Sequence, residues 1–290
     1  MLNKVINNEA LGVIFPNSYD GLIPELVKER LMASVPFASR YRLVDFVISS
    51  MARAGIDNIS LIARENYLSL MDHLGSGREW DLVRKNGGLH LFPPNVERTS
   101  TVYTGRVAAI AGILDYLRSQ KEKYVVMADT NVAANFDFKA MLDAHIASGA
   151  DVTVAYAKEE IPAAMKNNTD YSNLYFTLKL EDGRVKKMYI NSQEDGVQNL
   201  SMNIYIMDRE LLIKEITAAF VRGYVYFERD ILAPQVDKLN IQAYEFTGYK
   251  ARIYDMKSYF DENMKLLKDE NLDGLFAGNP IYTKVRDDNP

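Results

Sequence analysis

Asp129 follows the apolar run Tyr124–Met127, at the carboxyl end of a candidate strand, where open α/β sheets gather their ligands. A transferase that holds its metal between two neighbouring carboxylates would need Asp-x-Asp after such a strand. Ala128-Asp129-Thr130 does not supply it, and Asp137-Phe138-Lys139 lacks the second aspartate. Cysteine is absent, which excludes disulfides, thiolate zinc sites and cysteine nucleophiles. His73, His90 and His145 form no close pair that would hold a metal on one helix face. Among the cations, Arg40 and Arg42 fall two apart at a helix start, so they diverge rather than clamp one phosphate. Solvated charge and phosphate site are balanced readings for them. Arg53 and Arg64 are two further cations. Trp80, the single tryptophan, and His73 read as packing residues. The net charge of -5 gives no general attraction to nucleic acid or anionic membrane.

The segments that would position these groups alternate. Ala10–Phe15 is a buried strand followed by a polar stretch, 16–21. Residues 41–54 carry Leu43, Val47, Ile48 and Met51 at helical spacing, and Gly55 stands where a helix C-cap belongs. Strands at 58–62, 124–127 and 152–156 alternate with helices at 67–74, 106–117 and 138–146, which implies a parallel sheet covered on both faces. Beyond Tyr171 the pattern changes to a hairpin, 174–180 and 185–190, joined by Glu181-Asp182-Gly183-Arg184. A strand at 201–207, a helix at 209–219, late strands at 241–246 and 253–254 and a closing helix at 258–267 complete it. A hydrophobic content of 48% with 25% charged residues suits a well-buried core in one large α/β body of 290 residues. No segment reaches the roughly 20 apolar residues of a membrane span, and the first apolar run is too short for a signal peptide, so a cytoplasmic location is expected.

Ser34-Val35-Pro36-Phe37-Ala38-Ser39-Arg40-Tyr41-Arg42-Leu43-Val44-Asp45-Phe46 resembles the KPAVPFGGKYRIIDF segment of bacterial ADP-glucose pyrophosphorylase, the glucose-1-phosphate adenylyltransferase family. The likeness continues through Arg53-Ala54-Gly55-Ile56, the Leu91-Phe92-Pro93-Pro94 loop, 105–110, Ala128-Asp129, Ser201-Met202-Asn203-Ile204-Tyr205 and Asn263-Met264, essentially the whole chain. The resemblance implies an α/β nucleotidyltransferase fold, glycosyltransferase-A-like and Rossmann-like, with a mixed sheet flanked by helices. It makes 1–275 the nucleotidyltransferase-like domain and 276–290 the start of a connection to the family's C-terminal left-handed β-helix. That β-helix is expected to be missing, since no hexapeptide repeat precedes Pro290.

The family couples ATP and glucose 1-phosphate to give ADP-glucose and pyrophosphate, a step that needs positioning, Mg²⁺ and cations on the phosphates. Judged by the resemblance, most of that equipment is replaced. The glycine loop GGxGTRL reads Asn17-Ser18-Tyr19-Asp20-Gly21-Leu22, with an acidic side chain and with Leu22 for the arginine. Met32 stands for the lysine near pyrophosphate, and Asn191 for the sugar-phosphate lysine. Of the two metal-holding aspartates, Asp129 is kept and the other is Arg252. At about 4 Å and an effective dielectric of 20, a unit charge facing a divalent ion is worth about 8 kcal/mol, and this exchange reverses its sign. Asp255, three residues on, would serve only after a register slip. Tyr224-Val225-Tyr226-Phe227 replaces the family's SSHDFGKD region, so Glu228-Arg229-Asp230 reads as a helix start rather than a site. The resemblance also implies an effector site: Arg40 and Arg42 lie in the segment from which the family draws basic side chains for it, Arg53 and Arg64 are weaker candidates, and Arg64 stands for a glutamine in the family's TQY loop, which is tied to effector signalling.

The resemblance therefore narrows to the GlgD-type subunit, a non-catalytic partner of a catalytic GlgC-type subunit. It implies a hetero-oligomer in glycogen biosynthesis, no productively bound Mg²⁺, and a sugar-phosphate or nucleotide effector. The alternative is an active or weakly active glucose-1-phosphate adenylyltransferase.

Overall fold

The computed structural model describes residues 9–84, 87–93, 105–168 and 174–285. The strands are β1 (Ala10–Phe15), β2 (Pro36–Phe37), β3 (Tyr41–Arg42), β4 (Asn58–Ile62), β5 (Gly88–Phe92), β6 (Tyr124–Asp129) and β7 (Val132–Ala134). They continue with β8 (Val152–Glu160), β9 (Phe176–Glu181), β10 (Arg184–Ile190), β11 (Val197–Asp208), β12 (Ile241–Glu245) and β13 (Lys250–Arg252). The helices are α1 (Pro24–Val27), α2 (Leu43–Arg53), α3 (Leu68–Leu74), α4 (Arg106–Ala111), α5 (Leu114–Ser119), α6 (Phe138–Ser148), α7 (Ala163–Lys166), α8 (Arg209–Val221), α9 (Met256–Lys265) and α10 (Asp269–Phe276).

Nine strands form one sheet in the order β5-β4-β1-β6-β11-β8-β12-β10-β9. Strands β5, β4, β1 and β6 run parallel, whereas β11 is antiparallel to both β6 and β8. Two small ladders, β2–β3 and β7–β13, stand beside it, and none of the described strands builds a β-helix.

Alternation along β1 shows why the sheet is covered twice. Ala10 and Ile14 join a core with Val47, Ile48 and Met51 of α2 and Met141 and Leu142 of α6. Leu11, Val13 and Phe15 join the opposite core with Val107 and Ile110 of α4 and Leu212 and Ile216 of α8. Gly12 is the point of closest approach, since a Cβ there would come 2.7 Å from Met51 Sδ. A third apolar cluster, including Met32, Phe46, Ile253 and Leu275, ties the stretch before α2 to the C-terminal helices.

Local chemistry sets the boundaries. Asp45 ends the backbone irregularity before α2, one oxygen accepting from Arg42 N–H at 2.9 Å and the other meeting His73 Nε2 at 2.6 Å. Gly55, at φ 79°, ends the same helix in the left-handed conformation that glycine adopts without strain. Asp182 and Gly183, at φ 50° and 78°, close the β9–β10 hairpin.

The structure departs from the sequence expectations at several places. The helix expected over 106–117 is two helices, α4 and α5. It breaks at Gly112-Ile113, where Ile113 N–H bonds to Ile110 O at 3.0 Å in a tighter turn. Leu91 and Phe92 end strand β5 instead of forming a loop, and Pro94 lies outside the described residues. The last short strand is Lys250–Arg252 rather than 253–254, and α10 follows the helix expected to close the chain.

Candidate functional site

The carboxyl ends of β1 and β6 lie side by side, Phe15 in register with Asp129. This is the sheet edge where a ligand is expected. Asp129 is buried, and both its carboxylate oxygens lie 2.7 Å from Arg106 Nη2. The other terminal nitrogen of Arg106 bonds to Glu228, which is also buried. The guanidinium lies 4.6 Å from the Phe15 ring centroid and 5.7 Å from that of Tyr205. Burial opposes the charge on Arg106, yet Asp129 and Glu228 outweigh it and hold the group above its ordinary pKa.

Three elements bring this cluster together. Asp129 ends β6, Arg106 opens α4, and Glu228 sits in a π-helical turn, Phe227–Leu232. Asp230 Oδ2 pins that turn by accepting from Val225 and Tyr226 N–H at 3.0 and 2.9 Å. Gly105 lets α4 approach, since a Cβ on it would sit 2.5 Å from Val225 O. Sequence reasoning placed Arg106 merely at the start of an amphipathic helix and Glu228 at a helix start. Their pairing joins positions far apart in the chain and has no local signature.

The stretch after β1 is fixed by side chains instead of glycines. Asn17 Oδ1 accepts from Arg64 N–H at 2.6 Å, and its Nδ2 donates to Asp20 Oδ2 at 2.8 Å. Asp20 Oδ1 in turn accepts from Met32 N–H at 2.6 Å. Burial pushes the Asp20 carboxyl up to about 6, against these hydrogen bonds and the Arg64 charge. Tyr19, at φ 68°, donates its hydroxyl to Leu174 O at 2.8 Å and accepts from Asn203 Nδ2 at 2.6 Å. Burial and the Asp129 and Glu228 charges raise its phenol, so it stays protonated. Around this loop lies a pocket of about 140 Å³, lined in part by Tyr19, Asp20, Arg64, Arg106, Tyr226 and Glu228.

The other positions singled out in the sequence are dispersed. Leu22, half-buried, packs beside the third apolar cluster, and Met32 is fully buried within it. Arg252 is buried and donates to Glu159 Oε1 from Nη2 at 2.8 Å and from Nε at 3.2 Å, and to Ser201 O at 3.2 Å. It lines a second, smaller pocket, with Tyr19 standing between that pocket and the larger one. Asp255 caps α9, accepting from Ser258 N–H at 2.6 Å. Asn191, at φ 52°, uses its Oδ1 to accept from Tyr175 N–H at 3.0 Å. Arg40 is exposed over the Tyr41 ring at 5.2 Å, while Arg42 is buried and donates to Ser69 O and Oγ at 2.8 and 2.9 Å. Arg53 bonds to Asn135 Oδ1 at 2.6 Å and Phe136 O at 3.2 Å. Arg64, unlike Arg40, Arg42 and Arg53, lines the larger pocket. Trp80 and His73 pack edge to face in the core.

Mg²⁺, which the resemblance implies, does not fit the residues present. Both oxygens of Asp129 are engaged by a guanidinium, Arg252 stands where a second carboxylate is needed, and no group of three His, Cys, Asp or Glu among the described residues is arranged to hold a metal ion.

Comparison with known proteins agrees with this architecture. The family profile described as Nucleotidyl transferase matches residues 24–267. The chain is 31% identical to the glycogen biosynthesis protein GlgD of Bacillus subtilis (strain 168) over 288 residues, covering 99% of this chain and 72% of that protein. It is 34% identical to GlgD of Geobacillus stearothermophilus over 287 residues, covering 98% and 72%. Glucose-1-phosphate adenylyltransferase of Bacillus cytotoxicus is 31% identical over 252 residues, covering 85% and 65%. A glucose-1-phosphate thymidylyltransferase from Bacillus anthracis, solved with sucrose, shares the fold with a TM-score of 0.66 at 11% identity, covering 88% of this chain and 94% of that one. A buried site at the strand ends, the profile match and the near-full-length likeness to GlgD proteins together show that this chain belongs to the nucleotidyl transferase family, as a relative of GlgD.

Proposed function

We propose that this chain is the regulatory, non-catalytic subunit of a glucose-1-phosphate adenylyltransferase in glycogen biosynthesis, working in the cytoplasm by pairing with a catalytic GlgC-type subunit. The observation that carries the reading is the capture of Asp129 by Arg106. The one carboxylate expected to hold Mg²⁺ is already neutralised, and the pocket beside it presents Asp20 where a triphosphate would need backbone N–H groups and cations. The likeness to both GlgD proteins and adenylyltransferases supports the glycogen-biosynthesis part of this reading. A sugar-phosphate or nucleotide effector is part of this reading, with Arg64 as the contact candidate because it faces the larger pocket.

The test is enzymatic and physical. The purified chain alone, given ATP, glucose 1-phosphate and Mg²⁺, is expected to release no pyrophosphate above background. Mixed with the catalytic subunit, it is expected to co-elute on size exclusion and to change that subunit's response to substrate or to fructose 1,6-bisphosphate. Turnover by the lone chain at the rate of an ordinary pyrophosphorylase, or failure to associate, would defeat the reading.

A further inference from the structure

We infer that Arg106 is a built-in counter-ion, holding Asp129 and Glu228 together in the way a divalent cation would. The two carboxylates come from separate elements, the end of β6 and the π-helical turn, and converge on one guanidinium that itself comes from a third. One nitrogen spans both oxygens of Asp129 at 2.7 Å and the other reaches Glu228. All three side chains are nearly inaccessible, at 11%, 0% and 6% exposure for Arg106, Asp129 and Glu228. Two buried carboxylates aimed at one point repel each other unless a cation lies between them. Here the cation is covalently attached to the chain, and the Phe15 and Tyr205 rings cover it. A guanidinium supplies one positive charge where a divalent ion would supply two, and it presents no open coordination position.

Removing the guanidinium should therefore create a site for a divalent ion that the native chain does not have. The inference deepens the proposed function but is read differently. Failure here would leave association with a catalytic subunit untouched, and an active lone chain would still have to be reconciled with its own Mn²⁺ count.

The experiment uses the full chain and Mn²⁺ as probe, counting bound ion by the loss of the free Mn²⁺ electron paramagnetic resonance signal and following Tm. Wild type is expected to bind no Mn²⁺ that depends on Asp129 and to show an unchanged Tm. Arg106→Ala is expected to melt below wild type, to bind one Mn²⁺ per chain and to recover Tm on Mn²⁺ addition. Arg106→Ala combined with Asp129→Asn should lose both the binding and the recovery. Two results overturn the inference: Mn²⁺ binding by wild type that Asp129→Asn abolishes, or an Arg106→Ala chain that takes up no Mn²⁺. Where Arg106→Ala is insoluble on expression, refolding it from denaturant with and without Mn²⁺ decides. Recovery that depends on Mn²⁺ supports the inference, and recovery indifferent to Mn²⁺ overturns it.

Discussion

At the scale of single residues, the replaced positions have been taken into other work. Met32 is fully buried among Ile23, Phe37 and Phe46, so the lysine that the resemblance calls for cannot be put back without burying an ammonium in apolar surroundings. Met32→Lys is expected to lower stability by about 3 kcal/mol or more in urea unfolding. Arg252→Asp would take the guanidinium from Ser201 O, leave Glu159 to Lys250 Nζ at 3.8 Å and set a second carboxylate beside it, for a loss of about 2–4 kcal/mol measured the same way. Asp20 makes a separate prediction in pH. Its folded pKa of about 6 lies above the ordinary 3.8, so the folded chain holds this proton more tightly than the unfolded chain. Stability from this group is therefore greatest below pH 4, falls as pH rises through 6, and stays low above it. Asp20→Asn is expected to remove that slope, gaining roughly 1–3 kcal/mol relative to wild type between pH 4 and 7. A slope unchanged in the variant would show that another group titrates there. These substitutions were visible in the sequence as altered residue types. Where each side chain now points was not, because a residue type does not reveal its partner.

At the scale of elements, periodicity and caps carried most of the information. The six apolar residues of β1, the spacing of Leu43, Val47, Ile48 and Met51 with Gly55 behind them, and Asp182-Gly183 between two strand-like runs each produced the element expected. The apolar face over 106–117 runs on across Gly112, but the backbone tightens there and the helix divides into α4 and α5. The π-helical turn at 227–232 was legible only as a start signal, because its register depends on Asp230 gripping the backbone behind it. That turn and α4 meet across Gly105. Gly105→Ala would drive a methyl group into Val225 O, and we expect a loss of about 1–3 kcal/mol with a weakened Arg106–Glu228 contact. The check is equilibrium unfolding of Gly105→Ala beside Gly149→Ala. Gly149 has open space around it but a left-handed φ of 59°, so its effect isolates backbone strain from crowding.

At the scale of the whole molecule, the two sequence patterns merge into one sheet. The parallel region β5-β4-β1-β6 and the hairpin region are joined by β11, which pairs with β6, β8 and β9. The early rhythm of strand and helix indicated the parallel region, but nothing local announced that a strand from the second half would lie against β6. Because β11 belongs to both regions, the chain is expected to unfold in one cooperative step. Trp80 fluorescence and far-ultraviolet circular dichroism should give coincident urea transitions, and separated midpoints would show that the halves are independent. The cluster of Arg106 with Asp129 and Glu228 also bears on descent. Each of its members is now needed by the other two, so exchanging any one by itself harms folding before it could benefit chemistry. Such mutual dependence acts as a ratchet. A lineage that carries it can give up the guanidinium only at a cost in folding that an ion from solution would have to offset, while the surface around the site stays free to diverge.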